Sequence, residues 1–221
     1  MPSTRWRGDC PRCAALCCLS LAFDRGEHFA FDKPAGEPCP LLGPHHVCSQ
    51  HALRDERGLG GCVAYDCLGA GQRVVEELFE GRSWQTDPAL SRPMQEAFWR
   101  MRELQQLLLG LALTERLELD PELTRQRREL VARLDPPGGF DRATFDALGL
   151  EAAKRDVREF LAGLRERLRG AEPAARYRLP LAELASSARE FDQPTRSASQ
   201  TTTSSLRAKC ASAGGPPTSS P

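Results

Sequence analysis

Eight of the nine cysteines of this chain fall between Cys10 and Cys67, and all four histidines (His28, His45, His46 and His51) lie in the same stretch. The cysteines run Cys10-x2-Cys13-x3-Cys17-Cys18, then Cys39-x8-Cys48, then Cys62-x4-Cys67. A C-x2-C spacing lets two thiolates from one tight turn grip one ion while amides of the turn hydrogen-bond to the sulfurs. Eight thiolates suffice for two four-thiolate sites or one binuclear centre. Adjacent side chains diverge, so Cys17 and Cys18 are expected to serve different ions or a polynuclear cluster. Four bare thiolates around one zinc ion leave a charge of about −2. Arg12, Arg54 and Arg57, or helix-opening amides at Gly69 to Gln72, are the groups expected to offset it.

The histidines add less. Cys48-x2-His51 is a usable ligand spacing, but His51 reads more simply as an exposed residue opening a helix through Arg57. His45 and His46 follow Gly43-Pro44 and read as loop, and His28 has no partner at ligand spacing. Cys210 stands alone in a Ser- and Thr-rich tail and reads as an incidental free thiol.

Disulfides are the rival use of so many cysteines, and the route to secretion decides between the two. Residues 13–23 are apolar and follow Arg5, Arg7 and Arg12, which superficially copies a signal peptide. Asp9 and Pro11 interrupt the basic part, Asp24 and Arg25 end the run early, and no small-x-small cleavage pattern follows. No run approaches the roughly 20 apolar residues that span a bilayer. The expectation is a cytoplasmic chain whose sulfurs are ligands.

The elements that must position these sulfurs separate by composition. Residues 1–84 are the Cys-rich metal-binding module, 85–170 a helical bundle, and 171–221 a tail expected to be disordered. Residues 1–67 lack apolar periodicity, so burial alone offsets little of their chain entropy and cross-links through metal are expected. A short helix from about Gln72 to Phe79 ends at Gly81. Asp87-Pro88, Ser91-Arg92-Pro93 and Asp120-Pro121 are helix starts with proline in the first turn. Met94, Phe98, Met101, Leu104, Leu108 and Leu111 form one stripe; Leu123, Leu130 and Leu134 a second; Leu150, Ala153, Val157, Leu161, Leu164 and Leu168 a third. Pro136-Pro137-Gly138-Gly139 breaks the chain between the last two. The fold class expected is mainly α: a small metal-stapled module packed on a short antiparallel bundle.

Charge and motif spacing exclude other classes. Thirty basic residues balance thirty acidic ones and the pI is about 6.9, with no basic stripe, so neither nucleic acid nor membrane is an expected partner. Gly69-x-Gly71 lacks the third glycine and the Lys-Ser/Thr of a phosphate loop, and reads as a knuckle turn feeding a helix. Asp66, Glu76 and Glu77 lack a matched base and read as caps and solvated surface rather than catalytic acids.

The strings CPRCAALCC, FAFDKPAGEPCPLL, HVCSQHALRDERGLGGC and VAYDCLGAGQRV resemble the bacterial cysteine-cluster family described as zinc- or iron-chelating. The likeness is greatest to the version that precedes pentapeptide repeats in actinobacterial proteins, and it covers about residues 10–84. It implies metal ligation by Cys10, Cys13, Cys17, Cys18, Cys39, Cys48, Cys62 and Cys67. The repeats themselves are not expected, since Leu181 to Ala185 is the single weak five-residue candidate after residue 170.

The function expected is therefore non-enzymatic metal binding with zinc as first choice, and a chelator should unfold residues 1–67 while leaving the helices. Alternatives are an iron–sulfur redox or electron-transfer protein, a protein-interaction scaffold with a structural metal, and, last, a disulfide-stapled secreted module. A protein partner beyond the metal ion is open.

Overall fold

The structure is a computed structural model that describes residues 4–169. The expected disordered tail, the weak repeat candidate at 181–185 and Cys210 lie outside the described residues. Within them the chain is mainly helical, and extended pairing is confined to two isolated bridges, Phe23 with Lys33 and Leu42 with Cys48. The helices are α1 (Leu16–Ser20), α2 (Gly60–Ala64), α3 (Ala70–Arg73), α4 (Ser91–Leu113), α5 (Pro121–Leu134), α6 (Arg142–Ala147) and α7 (Leu150–Arg169). A π-helical turn, Val74–Leu78, extends α3, and the segment ends at Gly81 with φ 78°.

The helix starts follow local chemistry. Asp87 and Asp120 both take extended backbones with proline next in the chain, and their carboxylates accept from Ala89 N at 3.2 Å and Leu123 N at 2.9 Å. All six residues of the first stripe are buried on α4, joined by Ala97 and Leu107. On α7 the buried face is Leu150, Ala153, Val157, Phe160 and Leu164; Phe160 is deeper than the expected Leu161. The six-residue α6 was not legible as a periodic stripe, because it is too short to repeat one. Its signal is the cap Asp141, which accepts from Thr144 N at 2.8 Å.

Helix α4 is the central element, packing against α1, α3, α5 and α7. The apolar core is continuous: Ala14, Leu16 and Leu19 from the cysteine-rich part belong to the same buried cluster as Met94, Phe98, Met101 and Val157. The module is thus anchored to the bundle by ordinary burial.

A polar network crosses this core. The Arg73 guanidinium is 9% exposed and pairs with Glu77 at 2.5 Å and Asp135 at 3.3 Å, and it donates to Gln105 Oε1 at 3.0 Å. Gln105 is fully buried on α4, and its Nε2 donates to Leu68 O at 2.8 Å, in the turn that follows Cys67. Arg5, near the amino end, reaches the same Asp135. Removing a buried group whose partners stay buried costs about 1–3 kcal/mol per orphaned partner. Gln105→Ala is accordingly predicted to lower the unfolding free energy in urea by roughly 2–3 kcal/mol; a loss below about 0.5 kcal/mol, the usual range of inert surface changes, would contradict this role.

Candidate metal centre

Backbone turns, more than the helices, place the sulfurs. Cys10-Pro11-Arg12 forms a 3-10 turn in which Cys13 N returns to Cys10 O at 3.3 Å. Ala14 and Ala15 then both adopt left-handed conformations, φ 49° and 52°, and bring Leu16 N to Cys13 O at 3.3 Å. The Leu16 amide also hydrogen-bonds to the Cys13 sulfur. Consecutive left-handed alanines are disfavoured in an isolated chain. Here Trp84 Nε1 holds Ala14 O at 2.7 Å, and Leu16 is fully buried one residue on.

The second turn repeats the logic. Leu68 and Gly69 have φ 51° and 76°, and the amides of Gly69 and Gly71 both hydrogen-bond to the Cys67 sulfur. A side chain at Gly69 would stand 2.5 Å from Arg5 O, so only glycine turns here. This is the knuckle read from Gly69-x-Gly71, with α3 opening behind it. A fourth amide, that of Leu41, acts on Cys39 in the same way and lowers its pKa. The Leu42–Cys48 bridge folds Cys48 back beside that turn, and α2 carries Cys62.

The turns meet. A Cβ at Gly71 would lie 2.7 Å from Cys13 Cβ and 2.9 Å from its Sγ, while the Gly71 amide points at Cys67. One glycine therefore touches both the first and the last turn of the cysteine series. Cys39 N donates to Cys18 O at 3.0 Å and ties the middle turn to α1. Electrostatically Cys17 is the hub: it interacts with Cys10, Cys13, Cys18, Cys39, Cys62 and Cys67. Cys48 acts on Cys39 and Cys62.

Six of the thiols, those of Cys10, Cys13, Cys17, Cys39, Cys62 and Cys67, are harder to ionise than usual. Burial raises Cys13 from 9.0 to about 12 and Cys62 to about 11. Cys17 is raised first by its hydrogen bond with Cys18, then by burial. Burial also raises Cys10, Cys39 and Cys67; the amide bonds at Cys39 and Cys67 oppose it. Cys17 and Cys18 both sit on the single turn of α1, each half-buried. Arg12 is elsewhere than expected: it makes a bidentate pair with Glu76, at 2.7 and 2.6 Å, so its charge is already spent. Arg54 does act on the cluster, lowering Cys10 and Cys62.

None of these eight cysteines is disulfide-bonded. Among the described residues, no three Cys, His, Asp or Glu side chains have closed into a group that could hold a metal ion as they stand. The sulfurs share one region without meeting at a point. The donor chemistry nevertheless fits a thiolate-loving ion, since three of the turns already aim amide N–H groups at sulfur. The buried side-chain polar atoms lacking any hydrogen bond are Ser20 Oγ, His46 Nδ1, Gln50 Oε1 and Tyr65 Oη, all within the cysteine-rich part. Tyr65 in addition feels Cys17 and Cys67.

The histidines stay peripheral. His51 is exposed and opens the 3-10 turn His51–Leu53, and His28 is exposed. His45 and His46 occupy a left-handed turn, φ 57° and 62°, and burial lowers the His46 pKa. The residue that sequence reading passed over is Lys33, 4% exposed and within electrostatic reach of Cys39, Cys18 and Cys17. Its signal was available: in a chain whose cations are almost all arginine, it is the one lysine before residue 154. Away from the cysteines, a groove of about 550 Å³ between α5 and α7 is floored by Leu123, Leu130 and Phe160.

Comparison with known proteins adds a relative of undefined role. The chain is 30% identical over 153 residues to an uncharacterized protein of Bacillus subtilis (strain 168), YybG. The alignment covers 69% of this chain, which spans only 55% of that protein's length. No family model matches the chain, and no solved structure matches it. No described helix is long and apolar enough to cross a membrane. What can be concluded is distant homology to that Bacillus protein.

Proposed function

We propose that this chain is a non-enzymatic metal-binding protein, holding zinc through Cys10, Cys13, Cys17, Cys18, Cys39, Cys48, Cys62 and Cys67 in a reducing, cytoplasmic setting. The observation that supports the reading is the convergence of the cysteine-bearing turns, with Gly71 against Cys13 and Cys39 N bonded to Cys18 O, together with backbone amides that lower the pKa of Cys13, Cys39 and Cys67 against the burial that raises it. Such bonds favour the ionised sulfur, and it is the thiolate that binds metal. Thiols pushed above their ordinary range by burial have no evident use while protonated. A divalent cation would displace those protons and supply folding free energy to the module. Zinc suits four-thiolate sites without any redox machinery.

The resemblance to the zinc- or iron-chelating cysteine-cluster proteins supports the same reading over residues 10–84. Iron on the same sulfurs is the alternative metal chemistry. The scaffold reading gains nothing from α4, whose apolar stripe is wholly covered by the bundle.

Because Leu16 and Leu19 lie in the shared core, metal loss should be felt in the bundle too, and the expectation of helices untouched by a chelator is revised accordingly. Three outcomes follow. Protein purified without added metal should be colourless and carry stoichiometric zinc by elemental analysis; a folded, metal-free product would overturn the proposal, and a brown one would replace zinc with iron. Gly71→Ala, which pushes a methyl into Cys13, should weaken zinc binding by roughly 10–100-fold in competition with a chromophoric chelator; unchanged affinity would remove Cys13 from the site. In metal-free protein the raised thiols favour the fold while neutral, so that stability is complete below pH 9 and declines as pH rises towards 12. Urea midpoints at pH 8 and pH 11 measure it, and the Cys13→Ala variant should lose less between them than the parent.

A further inference from the structure

We propose that the Lys33 ammonium is the internal counter-charge of the cysteine cluster on its Cys17–Cys18–Cys39 side, and the clasp that holds those segments together; this rests on the metal reading above. Lys33 is 4% exposed, deeper than Arg73. Its Nζ donates to three carbonyls: Glu37 O at 2.7 Å, Pro34 O at 3.0 Å and Leu19 O at 3.4 Å. Three donors meet three acceptors, so the ammonium is fully hydrogen-bonded.

These carbonyls are not scattered. Leu19 follows Cys18 on α1, and Glu37 lies two residues before Cys39. The Gly36 amide reaches the same Leu19 O at 3.0 Å, and Cys39 N reaches Cys18 O at 3.0 Å. Lys33 therefore bridges the two backbone segments that carry Cys18 and Cys39. Its own backbone is pinned by the paired bonds to Phe23, at 2.8 and 2.9 Å, and its ammonium lies 5.2 Å from the Phe23 ring, which stacks on Phe29.

Hydrogen bonds to neutral carbonyls leave the charge itself unbalanced. Arg73 sits between two carboxylates, whereas Lys33 makes no carboxylate ion pair among the described residues. A buried charge with no counter-ion is costly and normally loses its charge or finds a partner. Burial lowers the Lys33 pKa, and the groups that oppose it are Cys39 and then Cys18, ahead of the exposed Glu37 carboxylate, with Cys17 after it. Neutral thiols give it nothing, but thiolates surplus to the charge of a bound divalent ion would balance it. Against an aromatic wall with little water, such an attraction is weakly screened.

The test compares Lys33→Met, which keeps the stem and removes the charge, with Lys33→Arg, which keeps the charge. Full-length parent and variants are titrated with zinc against a chromophoric chelator and with cobalt(II), whose sulfur-to-metal absorption band counts thiolate ligands. Lys33→Met is expected to keep the cobalt band of the parent yet bind zinc about 10–100-fold more weakly, the range for lost outer-shell partners. Lys33→Arg should stay closer to the parent. Equal zinc affinity in parent and Lys33→Met overturns the proposal. So does an equal loss in both variants, with or without collapse of the band, because that pattern belongs to packing and not to charge. A parent that takes up neither metal overturns this inference together with the metal reading, and is told apart by the parent titration alone.

Discussion

The cysteine-rich part depends on the bending of two short turns into left-handed backbone directly after a cysteine. At Ala14-Ala15 and Leu68-Gly69 the chain reverses so that following amides point back at the sulfur. Such conformations persist only where surroundings over-determine them. The bundle and its approaches supply that constraint: Trp84 holds Ala14 O, and Gln105 on α4 holds Leu68 O. The helical part is thus the jig on which the sulfur turns are bent.

This arrangement couples the two parts in both directions. Gln105 is shared between the knuckle carbonyl and Arg73, and Arg73 in turn binds Glu77 and Asp135. Glu77 also accepts from Phe140 N at 3.1 Å, drawing the loop before α6 onto α3. A change in the ligand shell would be transmitted to the bundle through a few fully bonded polar groups and the continuous apolar cluster. Fully satisfied buried networks of this kind specify one arrangement, since every alternative orphans a partner.

Much of this was legible in sequence. The α4 stripe and the caps at Asp87 and Asp120 announced themselves through period and proline position, and Gly69-x-Gly71 was readable as a knuckle. What was not legible depended on tertiary partners. Arg12 looked available to the thiolates until Glu76, sixty-four residues on, proved to take it. Lys33 carried only a compositional hint, since its burial follows from carbonyls at Leu19, Pro34 and Glu37 that no local pattern brings together. How the sulfurs are grouped was the least accessible of all, and among the described residues no three Cys, His, Asp or Glu side chains close into a group that could hold a metal ion.

The most direct test of the account is X-ray absorption at the zinc edge of the zinc-loaded chain, which reads the ligand atoms themselves. Thiolate ligation predicts a shell of about four sulfurs per zinc at roughly 2.3 Å. A first shell made of nitrogen and oxygen at roughly 2.0–2.1 Å, with sulfur absent, would contradict it.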